Sequence, residues 1–171
     1  MLLAGGSAAQ ADQRRIVDPR EVMALEEGVW DAVIQSHSRA SSGKPAVANG
    51  VQVNEFRSGG KWMLNRMSVN GGAYEGTGIW GHDPKTGRYV GSWADSSSNA
   101  IRTDDGVWNP DSNTMTWTAQ VERTAGQRVR MRATSTFQGN IRIYRSFILS
   151  DGGEMPLSTV IFTRRPDAAV R

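Results

Sequence analysis

From Gly28 onward the apolar residues of this chain recur at every second position within short runs, and turn-forming clusters separate those runs. The runs span 29–38, 48–57, 61–69, 73–82, 88–96, 100–108, 114–124, 128–138, 141–149 and 155–164. Between them stand Ser58-Gly59-Gly60, Asn70-Gly71-Gly72, Asp83-Pro84-Lys85-Thr86-Gly87, Asn109-Pro110-Asp111-Ser112-Asn113, Ala125-Gly126-Gln127 and Asp151-Gly152-Gly153. Glycine and asparagine in such clusters supply the positive φ angles of tight turns, and proline interrupts ladder hydrogen bonding. Consecutive strands so joined form a meander, and closing the meander removes its unpaired edges. The expected fold is therefore all-β, a single antiparallel up-and-down barrel of about ten strands with one short N-terminal helix. The longest gap, 39–47, is rich in Ser, Gly and Pro and reads as a mobile loop over the barrel mouth.

The same alternation assigns faces. In 114–124 Met115, Trp117, Ala119 and Val121 share one side. In 128–138 Val129, Met131, Ala133, Ser135 and Phe137 do so, which leaves Arg128, Arg130 and Arg132 as a solvated outer row. In 141–149 the odd positions Ile141, Ile143, Phe147 and Leu149 suggest an inward row that would also hold Arg145. A buried guanidinium needs a partner, so Arg145 reads either as half of an ion pair or as an anchor for an anionic ligand.

The helix is expected within 16–27. Asp18 stands as N-cap, Pro19 occupies the first helical position, Glu21 has capping-box spacing, and Gly28 ends the segment. Ahead of it, residues 1–11 are small and apolar and end in Ala9-Gln10-Ala11. They read either as the end of a signal peptide, which would make the protein periplasmic or secreted, or as a disordered tail. The domain organisation that follows is a tail at 1–15, one barrel domain at 16–166 and a tail at 167–171.

The chain has 171 residues and no cysteine, which rules out a thiol nucleophile, a Cys-zinc site and disulfides. Its 20 basic residues are interspersed with 17 acids and form no basic stripe, so nucleic acid is not an expected partner. No apolar run reaches the length of a membrane-spanning helix. Neither a nucleophile elbow nor a cluster with metal-ligand spacing occurs, so no metal and no cofactor are expected.

The densest group of unusual residues is 76–98, where two strands carry Trp80, His82, Trp93 and Asp95 among glycines. Glycine beside large rings suits tight curvature or close approach by a ligand. Aromatic rings with a few polar atoms are what a small-molecule cavity presents. The expected ligand-binding residues are Trp62, Arg66, Trp80, His82, Trp93, Asp95, Trp117, Met131, Arg145 and Phe147, with a small hydrophobic or amphiphilic molecule as the partner. The alternative is a cofactor-free isomerase or cyclase in the same pocket, with His82 or Asp95 as acid or base, which requires that they face inward. A protein-interaction barrel would instead show an exposed apolar patch and no cavity. Oligomeric state is not legible.

Gly28-Val29-Trp30 resembles the Gly-x-Trp opening of lipocalins and their calycin relatives. It is followed in order by Gly59-Gly60-Lys61-Trp62, Tyr74-Glu75-Gly76-Thr77-Gly78, Gly81-His82-Asp83 and Ser92-Trp93-Ala94-Asp95-Ser96. That order is similar to an uncharacterised bacterial family of lipocalin-like proteins, DUF1579, over roughly residues 26–165. The family often has tyrosine where this chain has His82. The resemblance implies a calycin-type barrel with a pocket for a small hydrophobic molecule and supplies no catalytic residues. Nitrobindin-like haem barrels differ in the residues after Trp30, and a haem ligand would have to be His37 or His82, neither of them late in the chain.

Overall fold

In the computed structural model, residues 15–37, 44–124 and 127–166 are described. Of the tail or signal remnant expected at 1–15, residues 1–14 lie outside the described residues, as do the C-terminal tail at 167–171, residues 38–43, which include the first part of the loop expected at 39–47, and turn residues 125–126.

The chain forms one short helix, α1 (Pro19–Ala24), and ten strands. These are β1 (Gly28–Ser36), β2 (Ala46–Arg57), β3 (Trp62–Val69), β4 (Tyr74–Asp83), β5 (Arg88–Asp95), β6 (Arg102–Asn109), β7 (Thr114–Thr124), β8 (Gln127–Gln138), β9 (Ile141–Ser150) and β10 (Gly153–Arg164). Each strand pairs antiparallel with its neighbours in sequence, and β1 also pairs with β10, so the sheet closes into a barrel. The all-β meander expected from the alternation is the fold observed. Closure leaves no edge strand, and ten strands enclose a wider interior than side chains from facing walls fill.

α1 begins where the sequence signals place it. Asp18 Oδ1 accepts from the backbone N–H groups of Arg20 (2.9 Å) and Glu21 (3.1 Å). The helix is shorter than the expected span because its last turn ends at Leu25, and Gly28, with φ of +115°, redirects the chain into β1. Val22 and Met23 are buried against Met63, Trp80, Tyr89 and Met115, which stops one end of the barrel with apolar contacts. The Trp108 indole adds a tie by donating to the Ile16 carbonyl (2.8 Å).

A clasp joins the first and last strands beneath this helix. Trp30, fully buried, donates from its indole to the Glu26 carbonyl (2.8 Å). The Arg164 guanidinium lies 4.3 Å from the Trp30 ring and donates to the carbonyls of Leu25 (2.6 Å) and Glu27. Those carbonyls sit at the end of α1, where intrahelical donors run out, so Arg164 caps the helix and covers the indole together.

One face assignment is reversed. The inward row of β9 is Arg142, Tyr144, Ser146 and Ile148, whereas Arg145 is exposed and Phe147 faces outward beneath the Arg132 guanidinium. The cause is register. The Gly139-Asn140 turn pairs Phe137 with Arg142 and Ser135 with Tyr144, so the even residues of β9 share the inward side of β8. The buried arginine of this strand is Arg142, only 2% exposed, and not Arg145.

Candidate ligand cavity

The barrel interior holds a cavity of about 560 Å³. Its size falls in the range of small-molecule sites, roughly 300–1,000 Å³. The cavity exists because of how the tryptophans are seated. Across adjacent strands Trp80 pairs with Gly91, Trp93 with Gly78 and Trp117 with Gly106. A Cβ at Gly106 would fall 2.6 Å from the Trp117 ring, and one at Gly78 would fall 2.7 Å from the Trp93 ring. Only hydrogen fits there, so the Trp93 and Trp117 indoles lie flat against their neighbouring strands and leave the centre open, while at Gly91 the close neighbour is the Trp80 Cβ, at 2.9 Å. The T-shaped contact of Trp80 with Trp117, at 5.5 Å between ring centroids, joins two of these rings into one wall. Met67, Met131, Leu157 and Val160 add to the apolar lining.

At the helix end the floor is polar. Arg142 Nη1 lies 3.1 Å from Glu26 Oε1, and Nη2 donates to Gln52 Oε1. Asn65 Nδ2 donates to Glu26 Oε2 (3.1 Å) and to Asn54 Oδ1 (2.7 Å), while Asn54 Nδ2 donates to the Glu26 carbonyl (2.8 Å). The guanidinium is stacked 3.9 Å from the centroid of the Phe162 ring. Burial pushes the Arg142 guanidinium down from its ordinary value while the Glu26 carboxylate pulls it back up. Its Nε is buried and has no hydrogen-bond acceptor among the described residues.

A second ion pair stands towards the open end. Arg102 Nε and Nη2 donate to the two carboxylate oxygens of Asp104, at 2.8 and 3.0 Å, a side-on fork within β6. Burial raises the Asp104 carboxyl against the pull of Arg102. Burial likewise raises the Tyr144 phenol, whose neighbours include Arg102, Asp104 and Arg142. Three serines cross one wall at a single level: Ser36 pairs with Ser158 and Ser158 with Ser146. The hydroxyls of Ser146 and Ser158 are 2.8 Å apart.

Of the residues expected to bind ligand, the structure places Trp80, Trp93, Trp117 and Met131 on the cavity wall. Trp62 lies half-exposed on the outer face, packed on Gly81. Arg66, also outside, pairs with Glu55 (2.9 Å), and Arg145 and Phe147 are outward for the register reason above. His82 stands edge-on to Tyr89, 5.1 Å between centroids, at the helix end and does not line the cavity. Asp95 is occupied at the rim, where it accepts from the Trp93 indole (3.0 Å), the Ser97 amide (2.9 Å) and the Ser97 hydroxyl (2.5 Å). Burial works to raise the Asp95 carboxyl, but the bonds from Ser97, Trp93 and Tyr74 outweigh it and hold the carboxyl low. The charged residues that do line the cavity, Glu26, Arg102, Asp104 and Arg142, were not singled out from sequence, nor were Gln52 and Asn65 beside them.

The model of the family described as "Protein of unknown function (DUF1579)" matches residues 17–164. The chain belongs to the DUF1579 family. No curated protein matches it by sequence. Among solved structures this DUF1579 barrel is similar to Rv2717c from M. tuberculosis, with a TM-score of 0.66 at 10% identity, covering 88% of this chain and 99% of that one. It is also similar to the S-type phycobiliprotein lyase CPES from Guillardia theta, with a TM-score of 0.54 at 14% identity, covering 86% of this chain and 92% of that one. Both are lipocalin-like barrels, and the likeness at these identities is one of fold.

Proposed function

We propose that this DUF1579 protein binds a small hydrophobic or amphiphilic molecule inside the barrel. The observation that carries the reading is a cavity of about 560 Å³ walled by three indoles, two of which, Trp93 and Trp117, lie on glycine partners. A barrel built for stability alone would fill that space, because interiors pack near 0.74 density and voids forfeit contacts. Apolar burial against Trp80, Trp93, Trp117 and Met131 supplies affinity at ~25 cal/mol per Å². The two ion pairs and the serine row orient the polar end of the ligand. That a phycobiliprotein lyase shares the fold supports a barrel of this type as host to a ligand.

The catalytic alternative draws no support from the residues named for it, since His82 and Asp95 do not line the cavity. Titration of intrinsic tryptophan fluorescence with a panel of lipids and terpenoids tests the binding reading. Saturable quenching at one ligand per chain is expected. A flat response to the whole panel, with the protein folded, contradicts it.

A further inference from the structure

We infer that the cavity selects a neutral amphiphile, with an alcohol, ketone or ester oxygen at its polar end, and discriminates against carboxylates. This deepens the binding reading above and rests on it. Four charged side chains line the cavity among the described residues, Glu26, Arg102, Asp104 and Arg142, and they form two complete pairs. Arg102 already spends Nε and Nη2 on both oxygens of Asp104. A carboxylate entering there would have to displace Asp104 or stand beside it on one cation, and like charges sharing a site are unfavourable. The same holds at the floor, where Glu26 lies 3.1 Å from Arg142.

Arg142 is 2% exposed, and with its Nε enclosed and its Nη1 and Nη2 held by Glu26 and Gln52 it offers an entering carboxylate no open cation. The neutral hydrogen-bonding capacity is larger. Ser36, Ser135, Ser146 and Ser158, with the phenols of Tyr74 and Tyr144, add hydroxyls that donate or accept without bringing charge. A site with matched charges and neutral hydroxyls imposes a desolvation penalty on an anion that a neutral oxygen does not incur.

Decanol and decanoate have the same chain and differ in charge at neutral pH, so they isolate the question. In tryptophan-fluorescence titrations the wild-type protein is expected to bind decanol at least about tenfold more tightly than decanoate, a difference of ~1.4 kcal/mol. Asp104→Asn frees the Arg102 fork and is expected to reverse that order. The double variant Arg102→Gln/Asp104→Asn frees no cation and is expected to keep the preference for decanol. Equal or tighter binding of decanoate by the wild type overturns the inference and leaves the pocket reading intact. A preference for decanol that Asp104→Asn leaves unchanged overturns the pairing argument, and if that variant does not fold, loss of the preference in the double variant overturns it. Absence of saturable binding by either probe overturns the inference, while the pocket reading stands or falls with the response to the whole panel.

Discussion

Arg142 of β9 and Glu26, just beyond the end of α1, meet at 3.1 Å beneath the cavity, so one buried ion pair links the helical stopper to the barrel wall two strands from β1. Removing one partner leaves the other charge buried without compensation. Glu26→Gln is expected to lower unfolding free energy by about 3–5 kcal/mol, the range for a broken buried pair. Combining it with Arg142→Met should cost less than the sum of the two single changes. Urea denaturation of the four proteins checks this, and strictly additive losses would show that the pair is not coupled.

The seating of Trp117 on Gly106 makes a steric prediction. Gly106 has no positive φ, so alanine meets no backbone strain there and only the ring stands in its way. Gly106→Ala should destabilise the barrel by about 1–3 kcal/mol, the cost of overpacking, and shift the tryptophan emission. Gly152→Ala serves as control, because its nearest neighbour would be Ser150 Oγ at 3.9 Å. A change within about 0.5 kcal/mol is expected for that variant.

All three tyrosines are held protonated beyond their ordinary range. Burial raises Tyr74 and Tyr89 to about 12, and it raises Tyr144 as well. The unfolded chain ionises its phenols near ~10, so above that pH it binds fewer protons than the folded chain. Stability contributed by the protonated phenols is therefore complete below pH ~10 and is lost as the pH climbs towards the folded values. Phenolate absorbance of the native protein should stay low at pH ~10 and rise only with unfolding. A native titration with a midpoint at the ordinary value would contradict the burial of these rings.

The barrel was legible because its turns carry their own chemistry. Asn70-Gly71-Gly72, for example, places Asn70 and both glycines at positive φ and returns β3 onto β4. The apolar wall was legible for a related reason, since Trp80 and Trp93 stand among glycines on one side of alternating strands. What escaped was the polar floor. Judging the inward face by apolar content fails in β9, where Ile141, Ile143, Phe147 and Leu149 coat the outside and Arg142 and Tyr144 point in. The Gly139-Asn140 turn carries the missing information, because a two-residue hairpin fixes Phe137 opposite Arg142 once Phe137 is taken as inward. Pro156 is a second signal. The register of β9 with β10 slips by one residue between Pro156 and Ser158, so Val160 and Phe162 pair with Tyr144 and Arg142. β2 follows the same rule, for its buried Gln52 lies between Val51 and Val53, which face outward, and its buried Asn54 follows Val53. No local pattern indicates that Glu26 will meet Arg142, because that contact depends on barrel closure.

That a ligand occupies the space between the indoles is tested most directly by filling the space. Ala133, 1% exposed, lies on the cavity wall opposite Trp117 in the β7–β8 ladder. Ala133→Phe projects a ring into the opening, and decanol affinity measured by fluorescence, alongside the thermal unfolding midpoint, reports the outcome. With the barrel still folded, the affinity is expected to fall by at least about tenfold, the equivalent of ~1.4 kcal/mol. Undiminished binding by a folded Ala133→Phe protein would place the ligand elsewhere and contradict the account.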